Sequence, residues 1–313
     1  VAPDQRGFGQ TTGWAGQYED PLEPFNLVNL VRDIVGLVGA LGYDEVRAIV
    51  GHDAGSYVAG ACALIRPDIF KSCVMMSAPF TGAPPLLENK TTKLTRPTLD
   101  QLDKELSELK EPRKHYQTYF SSPSANVELM NSSQGIHQFL RAYYHHKSAD
   151  WSDNQPFTLT SWDAKIMAQM PTYYIMHHGQ TMPETVASEM PNEKQIKSCE
   201  WLTELELQVY ASEYSKNTFQ GGLQWYRCAT EGINQPALSL FAGQRILVPT
   251  LFLSGKNDWG IYQTPGAMEH MRDQVCASME GIVLVDQAGH WVQQEQSTAV
   301  LEHLTQFLKV RKS

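Results

Sequence analysis

Ile49-Val50-Gly51-His52-Asp53-Ala54-Gly55-Ser56 is the stretch that decides the fold. An acidic residue stands midway between two glycines, where a chain running out of a strand turns sharply into a helix. Side chains at 51 and 55 would collide as the backbone doubles back, and the turn strains its central residue and thrusts that side chain clear of the sheet. The flanks fit this reading. Val46 to Val50 reads as a short buried strand, and Ser56 to Ile65, rich in Ala and Gly, reads as a helix that ends at Arg66-Pro67. An Asp/Gly pair also occurs in innocent turns, because both are turn residues, but the strand–turn–helix context favours a nucleophile elbow. His52 reads as a hydrogen-bonding neighbour without a catalytic role.

Such elbows usually carry serine. A carboxylate there attacks carbon and forms an alkyl ester, whereas serine forms an acyl ester. Asp53 therefore moves the expected substrate from esters and amides toward epoxides or alkyl halides.

Working outward, Asp4-Gln5-Arg6-Gly7-Phe8-Gly9-Gln10 is a turn-rich loop, with Asp4 and Arg6 expected to form a structural tie. Phe25 to Leu41 is apolar at helical spacing and stops at Gly42. Cys73 to Ser77 is a second short apolar run ending at Ala78-Pro79. Strands alternating with helices over short connections argue for an α/β fold with a mostly parallel sheet covered on both faces. From about Pro84 to Gln235 the character changes to helical patterns rich in Tyr, Trp, Met and His, with little that reads as strand. Leu99 to Leu109 and Ser198 to Ser215 read as helices, and 131–135 and 170–191 as loops. Strand patterning resumes over 246–254 and 281–285. A closing amphipathic helix covers about Ser297 to Val310, with Lys309, Arg311 and Lys312 suited to the negative end of its dipole. The expected organisation is an α/β core over 1–83, an inserted helical cap over 84–235, and the rest of the core over 236–313.

Composition excludes several classes. The chain has 313 residues, and its net charge of −9 argues against a nucleic-acid or anionic-membrane partner. No apolar run approaches the roughly 18–20 residues needed to span a bilayer. Five cysteines, at 62, 73, 199, 228 and 276, are dispersed without zinc or redox spacing. They read as buried thiols of a protein in a reducing compartment, the cytoplasm. His145-His146 and His177-His178 lack metal-ligand spacing and are expected to be surface or wall residues. No metal and no organic cofactor is expected.

An ester-forming aspartate needs a base to activate the hydrolytic water and an acid to orient that base. Asp258 follows the strand that ends near Ser254, and His290 lies in the loop after the last strand. In an open α/β sheet the reactive crevice lies beyond the carboxyl ends of the strands. The order nucleophile, acid, histidine is that of α/β-hydrolases. Asp286 is the rival acid, being nearer His290 in sequence. Asp258 is preferred because it reaches across from the adjacent strand end.

With these pieces in place the chain resembles, over nearly all its length, the soluble epoxide hydrolases of the α/β-hydrolase fold. The resemblance rests on the Asp-x-Arg-Gly-Phe-Gly loop at 4–9, Gly-His-Asp-Ala-Gly at 51–55, Asn257-Asp258, and Gly289-His290-Trp291. Two cap motifs add to it: His115-Tyr116-Gln117-Thr118-Tyr119-Phe120 and Gly221-Gly222-Leu223-Gln224-Trp225-Tyr226-Arg227. The second is commonly written with Asn where this chain has Gln224. The resemblance implies that Tyr116 and Tyr226 hydrogen-bond the oxygen of a small apolar or aromatic epoxide. Tyr119, Tyr173 and Tyr174 are the fallback donors. Asp53 would form the ester, His290 held by Asp258 would activate water, and the Ala54 N–H would serve the oxyanion hole. A homodimer is compatible with this reading.

The family also has an oxyanion donor on a His-Gly-x-Pro loop and a central strand, both upstream of where this chain begins. N-terminal strands are therefore expected to be missing, and the chain to be a fragment or complemented by another polypeptide. Two rival functions remain. A haloalkane dehalogenase would use the same Asp and His but needs halide-binding N–H donors, often a Trp where Ala54 stands. A non-catalytic ligand-binding protein on a hydrolase scaffold would suit the aromatic, Met-rich cap equally well.

Overall fold

The computed structural model describes residues 1–86 and 98–309. Among these residues there are six strands: β1 (Ile49–His52), β2 (Cys73–Met76), β3 (Arg113–His115), β4 (Ile175–His177), β5 (Thr250–Gly255) and β6 (Met279–Val285). The chain divides into two compact units. One comprises Val1–Asn26, the described part of Leu94–Gln155, and Leu159–Ile233. The other comprises the described parts of Leu27–Lys93 and Asn234–Ser313, with Pro156–Thr158.

The second unit is an α/β layer structure. Its sheet runs β1-β2-β5-β6 with every pairing parallel. β2 and β5 are buried at every position, as parallel strands covered on both faces must be. Val74, Leu251, Leu253 and Val285 pack with Val292, Val300 and Phe307 in one core. β1 is half exposed, with Val50 43% accessible, and lies at an edge of the described sheet. The register pairs His52 with Met76, Met76 with Leu253, and Gly255 with Val285. The carboxyl ends of the strands therefore lie together, which sets Asp53, Ser77, Asp258 and His290 at one end of the sheet.

The helix Ala54–Ile65 has small residues because it lies close to its neighbours. A Cβ added to Gly60 would sit 2.5 Å from the Phe80 ring. The helix Leu27–Ala40 buries Leu27, Leu30, Val31 and Val38. It closes where Tyr43 N–H donates to the Val38 carbonyl and Gly42 takes φ 80°, a left-handed stop that glycine adopts without strain.

The first unit is mainly helical, with two corrections to the sequence reading. The stretch 170–191, expected as loop, holds β4 and the helix Met182–Ala187, and β4 pairs antiparallel with β3. Three-residue strands are too short to display a period of two. The helix expected over 198–215 begins only at Glu204 and runs to Asn217, after a separate short helix, Glu193–Ser198, and a non-helical 199–203. Thr203 separates them through a capping box: its hydroxyl accepts Glu206 N–H, and Glu206 accepts Thr203 N–H at 2.8 Å. The closing helix is Ser297–Lys309, while Arg311 and Lys312 lie outside the described residues.

The amino-terminal loop belongs with the helical unit for a packing reason. Leu22 and Phe25 pack with Cys228, and Trp14, Trp225 and Ile233 lie against them. Gly7 and Gly221 approach so closely that a Cβ on Gly221 would lie 2.0 Å from the Gly7 carbonyl. Asp4 ties its own loop, accepting Gln10 N–H at 3.0 Å.

Candidate active site

Asp53 stands between β1 and the helix Ala54–Ile65 with φ 53° and ψ −119°. Positive φ in a non-glycine residue costs of order 1–3 kcal/mol and persists only where neighbours over-determine it. Here Asp53 N–H donates to the Met76 carbonyl at 3.1 Å, and Ser56 N–H donates back to the Asp53 carbonyl at 2.9 Å. A Cβ on Gly51 would lie 1.9 Å from the Gly55 carbonyl oxygen, so only glycine is accommodated. Ala54 is the first helical residue, and its N–H therefore has no partner within the helix.

His290 is 2% exposed, and its Nδ1 lies 3.2 Å from Asp258 Oδ1. A carboxylate only accepts, so Nδ1 carries the proton of this hydrogen bond, and Nε2 is the ring nitrogen on the Asp53 side. That atom has no hydrogen-bond partner and sits 3.8 Å from Asp53 Oδ1, beyond direct hydrogen-bond reach.

Asp258 is 1% exposed. Burying an unpaired carboxylate costs several kcal/mol, and this one is well partnered. Gly260 N–H donates to Oδ1 at 2.7 Å and the Ser254 hydroxyl to Oδ2 at 3.2 Å. Burial pushes its pKa up, but the His290 charge and hydrogen bond, the Gly260 N–H and the Ser77 hydroxyl outweigh burial and bring it down to about 2. Asp286 instead pairs with Lys256 at 2.8 Å on the surface, its side chain 79% exposed.

His52 donates from Nε2 to the His290 carbonyl at 2.7 Å, and the Ser77 hydroxyl donates to the same oxygen at 3.1 Å. The two imidazole rings lie 5.0 Å apart. Burial, then the neighbouring His290, lower the His52 pKa to about 4, so it is neutral near pH 7. Ser77 was not singled out by the sequence reading. Its one signal there is its place directly after a strand, where its positive φ of 67° turns the chain.

In the helical unit, Tyr116 opens the helix Tyr116–Phe120 directly after β3, and Tyr226 lies in the helix Gln220–Thr230. Their rings meet edge to face with centroids 5.8 Å apart. Tyr174 closes on Tyr116 at 5.0 Å, and its carbonyl accepts Tyr116 N–H at 2.8 Å. The Tyr116 hydroxyl accepts from Gln117 Nε2 at 3.3 Å. Tyr119 is buried beside them, its ring 5.5 Å from that of Phe120. Gln224 is fully buried and donates to the Gln17 carbonyl at 2.9 Å, while its own oxygen accepts from Arg227. The longer amide thus fastens the amino-terminal loop to the tyrosine-bearing helix.

Of the two histidine pairs, His145-His146 requires a correction. His145 and His146 are buried, and His146 packs edge-on to Trp151 at 4.4 Å and Tyr173 at 4.7 Å. Burial, then His145 and Lys147, hold His146 down to a pKa of about 3. His177 is half buried and His178 exposed. Among the described residues no group of three His, Cys, Asp or Glu side chains could hold a metal ion.

The strained elbow and the charge-oriented histidine define a hydrolase of this fold. Residues 1–296 match the model of the alpha/beta hydrolase fold family, and the chain belongs to that family. It is 26% identical to epoxide hydrolase 3 of Siraitia grosvenorii, over 98% of this chain and 82% of that one. It is 27% identical to epoxide hydrolase A of Mycobacterium tuberculosis, over 98% and 81%. Among solved structures, epoxide hydrolase A from Mycobacterium thermoresistibile superposes with a TM-score of 0.70 at 25% identity, over 98% of this chain and 81% of that one. A mutant of epoxide hydrolase from Solanum tuberosum gives 0.71 at 26%, over 98% and 82%. Among the described residues no helix is long and apolar enough to cross a membrane.

Proposed function

We propose that this chain hydrolyses an apolar or aromatic epoxide to a vicinal diol through an alkyl ester on Asp53. An Asp53 carboxylate oxygen attacks one epoxide carbon as that carbon's bond to the ring oxygen breaks. The departing alkoxide is a poor leaving group unless donors supply hydrogen bonds or a proton, a role assigned to Tyr116 and Tyr226. His290 Nε2 then takes a proton from water, Asp258 stabilises the imidazolium, and the hydroxide adds to the Asp53 carboxyl carbon. The Ala54 N–H supports the oxyanion. Collapse expels the second diol oxygen as the imidazolium returns its proton to it, the other proton of the water restores the tyrosine donor, and one oxygen from water stays on Asp53. The five cysteines, all free and four of them buried, support a setting in the reducing cytoplasm.

One observation carries the reading. A carboxylate, not a hydroxyl, occupies the strained elbow, and an unpartnered imidazole nitrogen stands 3.8 Å from it. A single turnover of an aryl epoxide in oxygen-18 water tests it. Label should enter the Asp53 carboxylate, as read by peptide mass analysis, and Asp53→Ala should lower diol formation by at least about 10⁴-fold. Diol formation surviving that substitution would overturn the assignment. Halide release without epoxide turnover would point to a dehalogenase.

A further inference from the structure

We propose that Glu295 is a positioning residue for the hydrolytic half-reaction, its one carboxylate clamping the backbone on both sides of His290. Glu295 Oε2 accepts Gly289 N–H at 2.9 Å, and Oε1 accepts Trp291 N–H at 3.0 Å. These are the two residues that flank the base. Both bonds run to a carboxylate and so belong to the stronger, charge-assisted kind. Glu295 can reach them because the turn Val292–Glu295 folds back, its own N–H donating to the Trp291 carbonyl at 2.8 Å.

The opposite side of His290 is held as well. Its carbonyl accepts from His52 and Ser77, and Asp258 accepts from its ring. The Gly289 carbonyl lies so near Gly255 that a Cβ there would approach to 2.1 Å. Trp291, fixed by the second Glu295 bond, lays its ring against His290 at 4.7 Å. Nε2, the atom that must meet water, is left without a hydrogen-bond partner. A base clamped in this way keeps Nε2 in place while the rest of its loop turns from strand to helix.

This inference rests on the ester mechanism proposed above, in which His290 acts only after Asp53 has been alkylated. Losing the clamp should therefore slow ester hydrolysis and spare ester formation. Misplacement of a reacting group by about 1 Å costs on the order of 10²-fold. Glu295→Gln keeps the shape and one acceptor but turns an NH₂ toward the other N–H, and Glu295→Ala removes both acceptors.

The test follows single turnovers with styrene oxide, reading the alkyl-enzyme by intact mass and the diol by chromatography. Ester formation should stay within about 2-fold of the parent, with hydrolysis about 10-fold slower in Glu295→Gln and about 100-fold slower in Glu295→Ala, so that the ester accumulates. Hydrolysis at the parent rate in Glu295→Ala would overturn the proposal. Equal slowing of both steps in Glu295→Gln would also overturn it, marking Glu295 as a fold-stabilising cap. Absence of any alkyl-enzyme in the parent, the Glu295 variants and His290→Gln would sink the ester mechanism and this proposal with it. That result differs from a failure of Glu295 alone, in which the ester forms and hydrolyses normally.

Discussion

The two units hold their candidate functional groups by different means. In the α/β unit Asp53, His290 and Asp258 are set by backbone geometry at strand ends and by hydrogen bonds to buried charge, as in the Gly260 and Ser254 contacts to Asp258. In the helical unit Tyr116 and Tyr226 are set by packing: edge-to-face contacts at 5.8 Å to each other and at 5.0 Å between Tyr116 and Tyr174. Aromatic pairs are individually worth about 0.5–1.5 kcal/mol and tolerate small shifts. A buried ion pair tolerates few, since removing one partner strands the other at a cost of about 3–5 kcal/mol. The buried Asp258–His290 pair should therefore respond to substitution nearly all or none, and the packed tyrosines by degrees.

The sharpest way to break that contrast is Asp258→Asn. An asparagine cannot hold the same imidazole tautomer, and turnover should fall on the order of 10³- to 10⁴-fold, while Asp286→Asn, which alters a surface ion pair, leaves the rate within about 2-fold. Steady-state kinetics with an aryl epoxide decides it. A large loss at Asp286 and little at Asp258 would reverse the assignment of the acid.

A smaller effect is expected at the tyrosines. Tyr226→Phe and Tyr116→Phe should each lower kcat/KM about 10- to 100-fold, the double variant falling further. Rapid-quench measurement of ester formation locates the defect in the first half-reaction. If Tyr119→Phe or Tyr174→Phe carries the loss instead, the donor pair has been misassigned while the graded response of the packed tyrosines stands.

The smallest effect concerns pH and stability. Folding lowers the His52 pKa from 6.5 to about 4. The fold thus favours neutral His52, so this contribution is fully present above pH 6.5 and is lost as pH falls toward 4. Between pH 7.5 and 5 the loss should reach up to about 2 kcal/mol, and His52→Gln, which retains an N–H donor, should remove that part of the slope. Urea denaturation at the two pH values measures it. Asp258, whose folded pKa of about 2 lies below 3.8, adds its own loss only below pH 4. His146, in the other unit, acts in the same direction as His52 and persists in the variant, so the difference between the two slopes isolates His52.

Much of this was legible in the chain itself. Gly51 and Gly55 around Asp53 mark the turn, a side chain at 51 having no room, and the apolar runs at 73–77 and 246–254 mark strands covered on both faces. Short elements were less legible. β3 and β4 have three residues each, and the break at Thr203 is announced only by its Thr-x-x-Glu capping box. The burial of His145 and His146 was hidden as well, because a histidine's surroundings come from distant parts of the chain.

Sequence alone determined the local chemistry: a carboxylate at an elbow, a histidine and an aspartate in the order that parallel strand ends require, and two tyrosines in recognisable motifs. These are short-range properties, governed by backbone sterics and by the periods of strand and helix. Tertiary structure decided which carboxylate meets His290, that His52 donates to the His290 carbonyl, and that Glu295 grips the backbone to either side of that residue. Those contacts join residues 4 to 238 positions apart in the chain, and for the distant pairs only the folding of the sheet brings them within hydrogen-bond distance.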